Sequence, residues 1–171
     1  MRTHLTGSKV RLRPLTHDDL PTRALWTADD ELAVMMGVDI AAEPFVSPED
    51  ELRGNHEWLD GRVRAGGIVL AIEVEGRYVG DIDITTISRE RRAELSLFIA
   101  DRSSWGKGYG TETVELVLGE LFAGKEVDAV DVEVASGNAR SARFWRKLGF
   151  EVISTDADGK LFLRCTRKNA K

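Results

Sequence analysis

After Gly66-Gly67 the hydrophobic period of the chain drops from 3.6 residues to two and stays there for three consecutive segments. "IVLAIEVEGRYVGDIDITTI" reads as strands 68 to 74 and 77 to 86 joined through a tight turn at Glu75-Gly76, and "RRAELSLFIA" as a third strand over 91 to 100. Three strands joined this closely in sequence predict an antiparallel meander, whose apolar face must be covered by other elements.

The flanks supply the cover. "THDDLPTRALW" opens with Thr16 and Asp19 at capping spacing, "ADDELAVMM" predicts a short helix stopping at Gly37, and Ser47-Pro48 starts a third helix. Leu52, Trp58, Leu59 and Val63 are that helix's expected buried stripe. Ahead of these, "KVRLRPL" (residues 9 to 15) alternates as an edge strand. Beyond the meander come a helix over about 109 to 122, a strand over 127 to 135 and a helix opening at Asn138 and stopping at Gly149. A hairpin turning near Asp158-Gly159 follows, then a tail, "KNAK", expected to be unstructured. Strand, helix, strand predicts that 127 to 135 lies parallel to the third meander strand.

At 171 residues with no linker or repeat, the expectation is a single domain spanning 1 to 171, of mixed α/β (α+β) class. A hydrophobic fraction of 42% with 31% charged residues fits a globular protein rather than a disordered one. The net charge of −5 argues against general nucleic-acid binding and fits a cationic partner. Cys165 is the only cysteine, which excludes an intrachain disulfide and a cysteine-cluster metal site. With no secretory h-region and no run long enough to span a bilayer, no membrane role and a cytoplasmic location are expected. His4, His17 and His56 are dispersed along the chain without metal-ligand spacing.

"SSWGKGYGTETVELVLGELF", residues 103 to 122, sets Gly106, Gly108 and Gly110 before an amphipathic helix, where several N–H groups can face one anion. It lacks the Gly-Lys-Ser/Thr ending of a P-loop, and its spacing and preceding meander do not suit a dinucleotide fold. This segment resembles the acyl-CoA binding segment of the GNAT superfamily of N-acetyltransferases, with Trp105 where the family pattern has Gln or Arg. "SGNARSARFWRKLGFEVI" resembles the family's second block and "VRLRPLTHDDL" its opening strand and helix, so the resemblance covers nearly the whole chain in order. The branch it is most similar to is that of the ribosomal-protein alanine and antibiotic N-acetyltransferases.

The resemblance implies the GNAT fold, a mostly antiparallel mixed sheet flanked by helices, and acetyl-CoA as cosubstrate. It places the pyrophosphate on the amides of Trp105, Gly106, Lys107, Gly108, Tyr109, Gly110 and Thr111, and the pantetheine arm along Phe98, Ile99 and Ala100. Asn138 would contact the cofactor or serve only as a helix cap. Direct transfer needs a neutral amine, although a free alkyl amine has a pKa of ~10.4, so a proton must be accepted. Glu94 is the candidate base, and Ser141 a candidate hydrogen-bond donor at the departing thiolate. Family members commonly place a tyrosine acid where this chain has Trp145, whose indole cannot act as one.

Acceptor contacts are expected from Trp26, Asp29, Asp30, Glu31 and the 37 to 47 loop with Glu43. Asp81 and Asp83 alternate along one strand, so both could face a cationic substrate or simply form the wet face of the sheet. The acceptor is a small-molecule amine or a protein N-terminal amine, and the family also suggests a homodimer. The competing reading is a non-catalytic CoA-binding or regulatory module of the same fold.

Overall fold

The computed structural model describes residues 1–36 and 46–170. A two-residue strand not among those expected from the sequence, β1 (Leu5–Thr6), comes first, and twelve elements follow in the predicted order: β2 (Arg11–Pro14), α1 (Leu20–Thr27), α2 (Asp30–Met36), α3 (Pro48–Arg64), β3 (Ile68–Val74), β4 (Arg77–Ile87), β5 (Arg92–Ile99), α4 (Tyr109–Ala123), β6 (Ala129–Val134), α5 (Ala139–Lys147), β7 (Glu151–Thr155) and β8 (Leu161–Thr166). The eight strands form one sheet in the order β1-β2-β3-β4-β5-β6-β8-β7. Every pairing is antiparallel except β5 with β6, the parallel neighbour that the strand-helix-strand pattern requires.

Period-two alternation divides the sheet into two faces. Leu12, Leu70, Ile72, Ile82, Ile84 and Leu95 pack against Val114, Val117, Leu118 and Leu121 of α4 and Trp145 of α5. On the opposite face Val69 and Ala71 pack against Leu20 of α1 and Leu59 of α3, with Leu52, Trp58 and Tyr78 half-buried around them. Asp81, Asp83 and Thr85 share this second face with Phe98, Ser96 and Glu94, their partners across the β4–β5 ladder.

Caps and turns form where the sequence provides the chemistry. The Ser47 hydroxyl accepts the Asp50 N–H at 3.2 Å, and the Asp19 carboxylate accepts both the N–H and the hydroxyl of Thr16 at 2.9 Å. Glu75 and Gly76 both have positive φ, 52° and 76°, the conformation of a two-residue hairpin turn that twists with its strands.

Two expectations fail. Val63 is 64% exposed, because the inner face of α3 is centred on Asn55 and Leu59 and turns Arg62 toward the sheet, which a purely hydrophobic stripe does not reveal. The tail is ordered through Ala170: the amides of Asn169 and Ala170 donate to Thr166 O at 2.9 and 3.0 Å, and Ala170 packs on the core. Gly149 makes room for it, since a Cβ there would lie 2.1 Å from Asn169 O. The expected acceptor loop and Glu43 lie outside the described residues, apart from Val46 and Ser47.

Candidate active site

Gly106 and Gly108 have φ of 76° and 87°, a region costing other residues about 1–2 kcal/mol. Gly110 has no such φ; a Cβ there would lie 3.4 Å from Leu97 Cδ2 and 3.5 Å from the Phe144 ring, ordinary van der Waals contact, so α4 begins packed beside β5 and α5. The first helical bond runs from Glu112 N to Gly108 O at 3.1 Å. Among the described residues, the amides of Gly106, Lys107, Gly108, Tyr109, Gly110 and Thr111 donate to no protein acceptor. Six such donors around the positive end of a 15-residue helix fit an anion. Trp105 is an exception to the predicted set, because its amide donates to Arg102 O at 3.2 Å and closes a 3-10 turn.

Besides Lys107 within it, this loop has beside it a cation that the sequence did not single out. Lys9 Nζ lies 3.4 Å from Lys107 O and 3.1 Å from where a Cβ on Gly108 would stand. Glu112 holds the turn that carries it, accepting the amides of Ser8, Lys9 and Val10 at 2.7, 2.7 and 2.9 Å and the Ser8 hydroxyl at 2.6 Å. Burial pulls the Glu112 pKa up, but these hydrogen bonds outweigh it and leave the group below its ordinary value. The side chain of Lys107 is exposed.

Beside the loop, β5 and β6 part. They pair only from Arg92–Ala129 to Glu94–Asp131, while β5 continues to Ile99 and β6 to Val134 along β8. The β5 edge from Leu95 to Ile99 therefore has no strand partner on that side, and every second residue turns its backbone polar groups toward the gap. The Trp105 indole Nε1 donates to Ile99 O at 2.7 Å, and the Arg140 guanidinium lies 4.1 Å from the Trp105 ring centroid. Of the backbone groups expected at Ala100, the N–H is taken, because both Ala100 and Asp101 donate theirs to Val79 O, at 3.1 and 3.2 Å. The Phe98 side chain is core, packed with Leu32, Ala100, Trp26 and Trp105.

On α5, Asn138 is the cap: its side-chain oxygen accepts the Ser141 N–H at 3.0 Å. Ser141 is half-buried in the first turn. Trp145 is buried between Phe144 and Phe150, with ring centroids 5.0 and 4.9 Å away. The tyrosine position of the resemblance is thus occupied by a core residue.

The predicted acceptor residues divide. Asp29 caps α2 through the Leu32 N–H at 3.0 Å and also takes Arg102 at 3.0 Å, and Glu31 takes Arg102 at 2.7 Å, so both stitch α2 to the turn after β5. Asp30 is exposed. Trp26 packs on Tyr78 and Phe98 with centroids 4.8 and 6.3 Å away. Asp81 and Asp83 are not a wet face. Asp81 is 3% exposed, its Oδ2 3.1 Å from Arg23 Nε and 2.8 Å from the Tyr78 hydroxyl, and Arg23 also bonds Asn55 and lies 4.0 Å from the Trp58 ring. Burial pushes the pKa values of Asp81 and Tyr78 up. Glu94 is exposed beside Ser96. His17 and His56, distant in sequence, stack with Nδ1 atoms 2.6 Å apart, and no group of three or more metal-ligating side chains forms among the described residues.

A loop of free amides leading to an open strand edge is a site for a long ligand with an anionic end. The sequence model described as "Acetyltransferase (GNAT) domain" matches residues 9–151. The chain belongs to the GNAT acetyltransferase family. Alpha/beta-tubulin-N-acetyltransferase 9 of Homo sapiens is 29% identical over 167 residues, spanning 91% of this chain and 78% of the relative. The N-acetyltransferase 9-like protein of Caenorhabditis briggsae is 28% identical over 140 residues, spanning 75% and 68%. In fold, this GNAT chain matches the aminoglycoside acetyltransferase AAC(6')-Ib in complex with coenzyme A at a TM-score of 0.74, with 21% identity over 94% of this chain and 96% of that one. It matches the RimL ribosomal L7/L12 alpha-N-protein acetyltransferase at 0.78, with 12% identity over 95% and 92%. Acetyl-CoA is the cosubstrate of the family's acetyl transfer.

Proposed function

We propose that this GNAT enzyme transfers acetyl from acetyl-CoA directly to a primary amine of a small molecule or a protein N-terminus. The observation that carries the reading is the row of six amides from Gly106 to Thr111 without protein acceptors, continuing into the unpaired edge of β5. Those amides fit a pyrophosphate, with Lys9 and Lys107 adding positive charge, and the Leu95–Ile99 edge fits the amide-bearing pantetheine arm. When bound, acetyl-CoA supplies the acetyl group as a thioester.

The chain's own residues then handle the amine. Glu94 stands exposed on the α1/α3 face of β5, where it can take a proton from the acceptor through water. Ser141, in the first turn of α5, lies at the other block of the resemblance and is proposed to hydrogen-bond the departing thiolate, and Asn138 to act through the helix it caps. The acceptors named for the relatives include proteins and an aminoglycoside, and the acidic charge of this chain suits a cationic acceptor of either kind.

One observation favours a binding module without turnover, namely the burial of Trp145 where a tyrosine acid is common in the family. Calorimetry with CoA and a mass-spectrometric screen of amines with acetyl-CoA separate the two: acetylated product is expected, whereas CoA binding with no product would leave only the module. A cytoplasmic location agrees with a lone buried thiol, Cys165, whose pKa burial pushes up to about 11. For a homodimer the proposed contact is the exposed edge strand β7 with Val152 and Ile153, tested by solution mass.

A further inference from the structure

Three buried side-chain atoms lack a hydrogen-bond partner among the described residues: Arg62 Nε, Asp83 Oδ1 and Thr113 Oγ1. Two of the three belong to one ion pair. Arg62 Nε lies 2.8 Å from Asp83 Oδ2, close enough for charge attraction but not aligned as a hydrogen bond, and Arg62 Nη1 reaches Thr85 Oγ1 only at 3.4 Å. The pair is also lopsided, since the Asp83 side chain is 9% exposed and that of Arg62 42%. Two residues away along β4, Arg23 and Asp81 show what a finished buried pair looks like here. Their side chains are 8% and 4% exposed, and hydroxyl, amide and aromatic neighbours complete them.

An aspartate left half satisfied in the interior, with its cation reaching in from solvent, suits an exchangeable partner. Its place in the sheet indicates which. Asp83 sits directly across from Ser96, whose small side chain is exposed, and diagonal to Glu94. One strand spacing separates Asp83 from β5, about 4.8 Å, and the far edge of β5 is the open one. Burial raises the Asp83 pKa, the Arg62 charge opposes this, and the Asp81 charge adds to it. An alkyl amine arrives as a monocation at neutral pH and carries three N–H donors.

We propose that Asp83 receives the primary ammonium of the acceptor, entering past Ser96, and that the Arg62 guanidinium occupies this position in the free enzyme and withdraws to solvent when the amine binds. The inference rests on the acetyltransferase reading and names the acceptor subsite of that same site. Asp83 fixes the cation while Glu94, exposed beside it, is left to relay the proton.

The test measures thiol release with acetyl-CoA and, in separate arms, spermidine and a tetrapeptide with a free α-amine, so that small-molecule and polypeptide ammonium sources are distinguished. Asp83→Asn is expected to raise KM for the amine about tenfold or more, the scale of a lost charge-assisted hydrogen bond, with KM for acetyl-CoA unchanged. Arg62→Gln is expected to lower the amine KM by removing the competing cation, and to have no further effect in the Asp83→Asn background. Because Arg62 can turn to water, the melting temperature of Asp83→Asn should be unchanged or raised. An unchanged amine KM in Asp83→Asn, or a lowered melting temperature with no change in KM, would show a structural ion pair and overturn the proposal. CoA binding without turnover of either amine overturns this acceptor subsite while leaving the cofactor site standing, and no CoA binding overturns both.

Discussion

Lys9 and Glu112 show how a binding residue can be absent from every motif and still be built into the site. Lys9 comes from the turn before β2, about a hundred positions ahead of the glycines, and only the three amides held by Glu112 bring it there. Lys9→Met should weaken CoA binding up to severalfold, in keeping with the ~0.2–1 kcal/mol typical of an exposed ion pair, and more at low salt than at high. Glu112→Gln should weaken it in the same direction by loosening the turn, whereas calorimetry showing equal affinity for both variants and the parent would remove Lys9 from the site. Glu94→Gln tests the other half: the rate is expected to fall and its pH dependence to change while CoA affinity holds. An unaltered pH profile would discard Glu94 as the base. No sequence pattern marks Lys9, since a lone lysine in the turn ahead of a short strand has none of its own; the acid in the first turn of α4 was visible, but its partners were not.

Among the elements, β4 and β5 and the gap beside β5 decide what the enzyme can hold. Gly80 lies opposite Ile99, and a Cβ there would stand 2.0 Å from Phe98 O and 2.8 Å from Ile99 Cα. The two backbones are that close where β5 offers its free edge. Gly80→Ala must therefore push backbone against backbone, and is expected to cost stability by about 1–3 kcal/mol and to weaken CoA binding through displacement of Phe98 and Ile99. Thermal denaturation together with a CoA titration reads both, and a variant with parental values in each would show that the approach is not required. The helices, the strands from β2 onward and the parallel β5–β6 pairing were legible because hydrophobic period, caps and turn residues all agree along this chain, whereas the two residues of β1 are too few to show a period. The inward face of α3 was not, because Asn55 and Arg62 are polar and find their partners, Arg23 and Asp83, only in the folded protein. The same blindness made Asp81 and Asp83 look like candidates for a wetted sheet face, since alternation reports which face a residue is on and not what covers it.

Across the molecule, the carboxylates whose titration the fold shifts fall into two groups that act on stability with opposite sign. Asp19, Glu112 and Asp131 are each raised by burial but lowered further by their partners: Arg13 and Thr16 for Asp19, Ser8 and the amides of residues 8 to 10 for Glu112, Arg164 and Arg92 for Asp131. With folded values below the unfolded ones, their stabilisation is complete above the ordinary carboxylate range, ~3.9–4.3, and is lost as pH falls through the folded values. Asp83 shifts the other way, raised chiefly by burial. Its native form binds a proton more readily than its unfolded form, so ionisation costs stability as pH rises through its folded value. The melting temperature of Asp19→Asn should accordingly lie below that of the parent at pH 7, with the gap closing only in acid beneath the ordinary range. That of Asp83→Asn should lie at or above the parent at pH 7, with any gap closing at a higher pH, as the parent's own Asp83 takes up its proton. Melting curves of the three proteins from pH 7 to pH 3 read both trends, and a deficit for Asp83→Asn equal to that of Asp19→Asn would make Asp83 a structural partner of Arg62 after all.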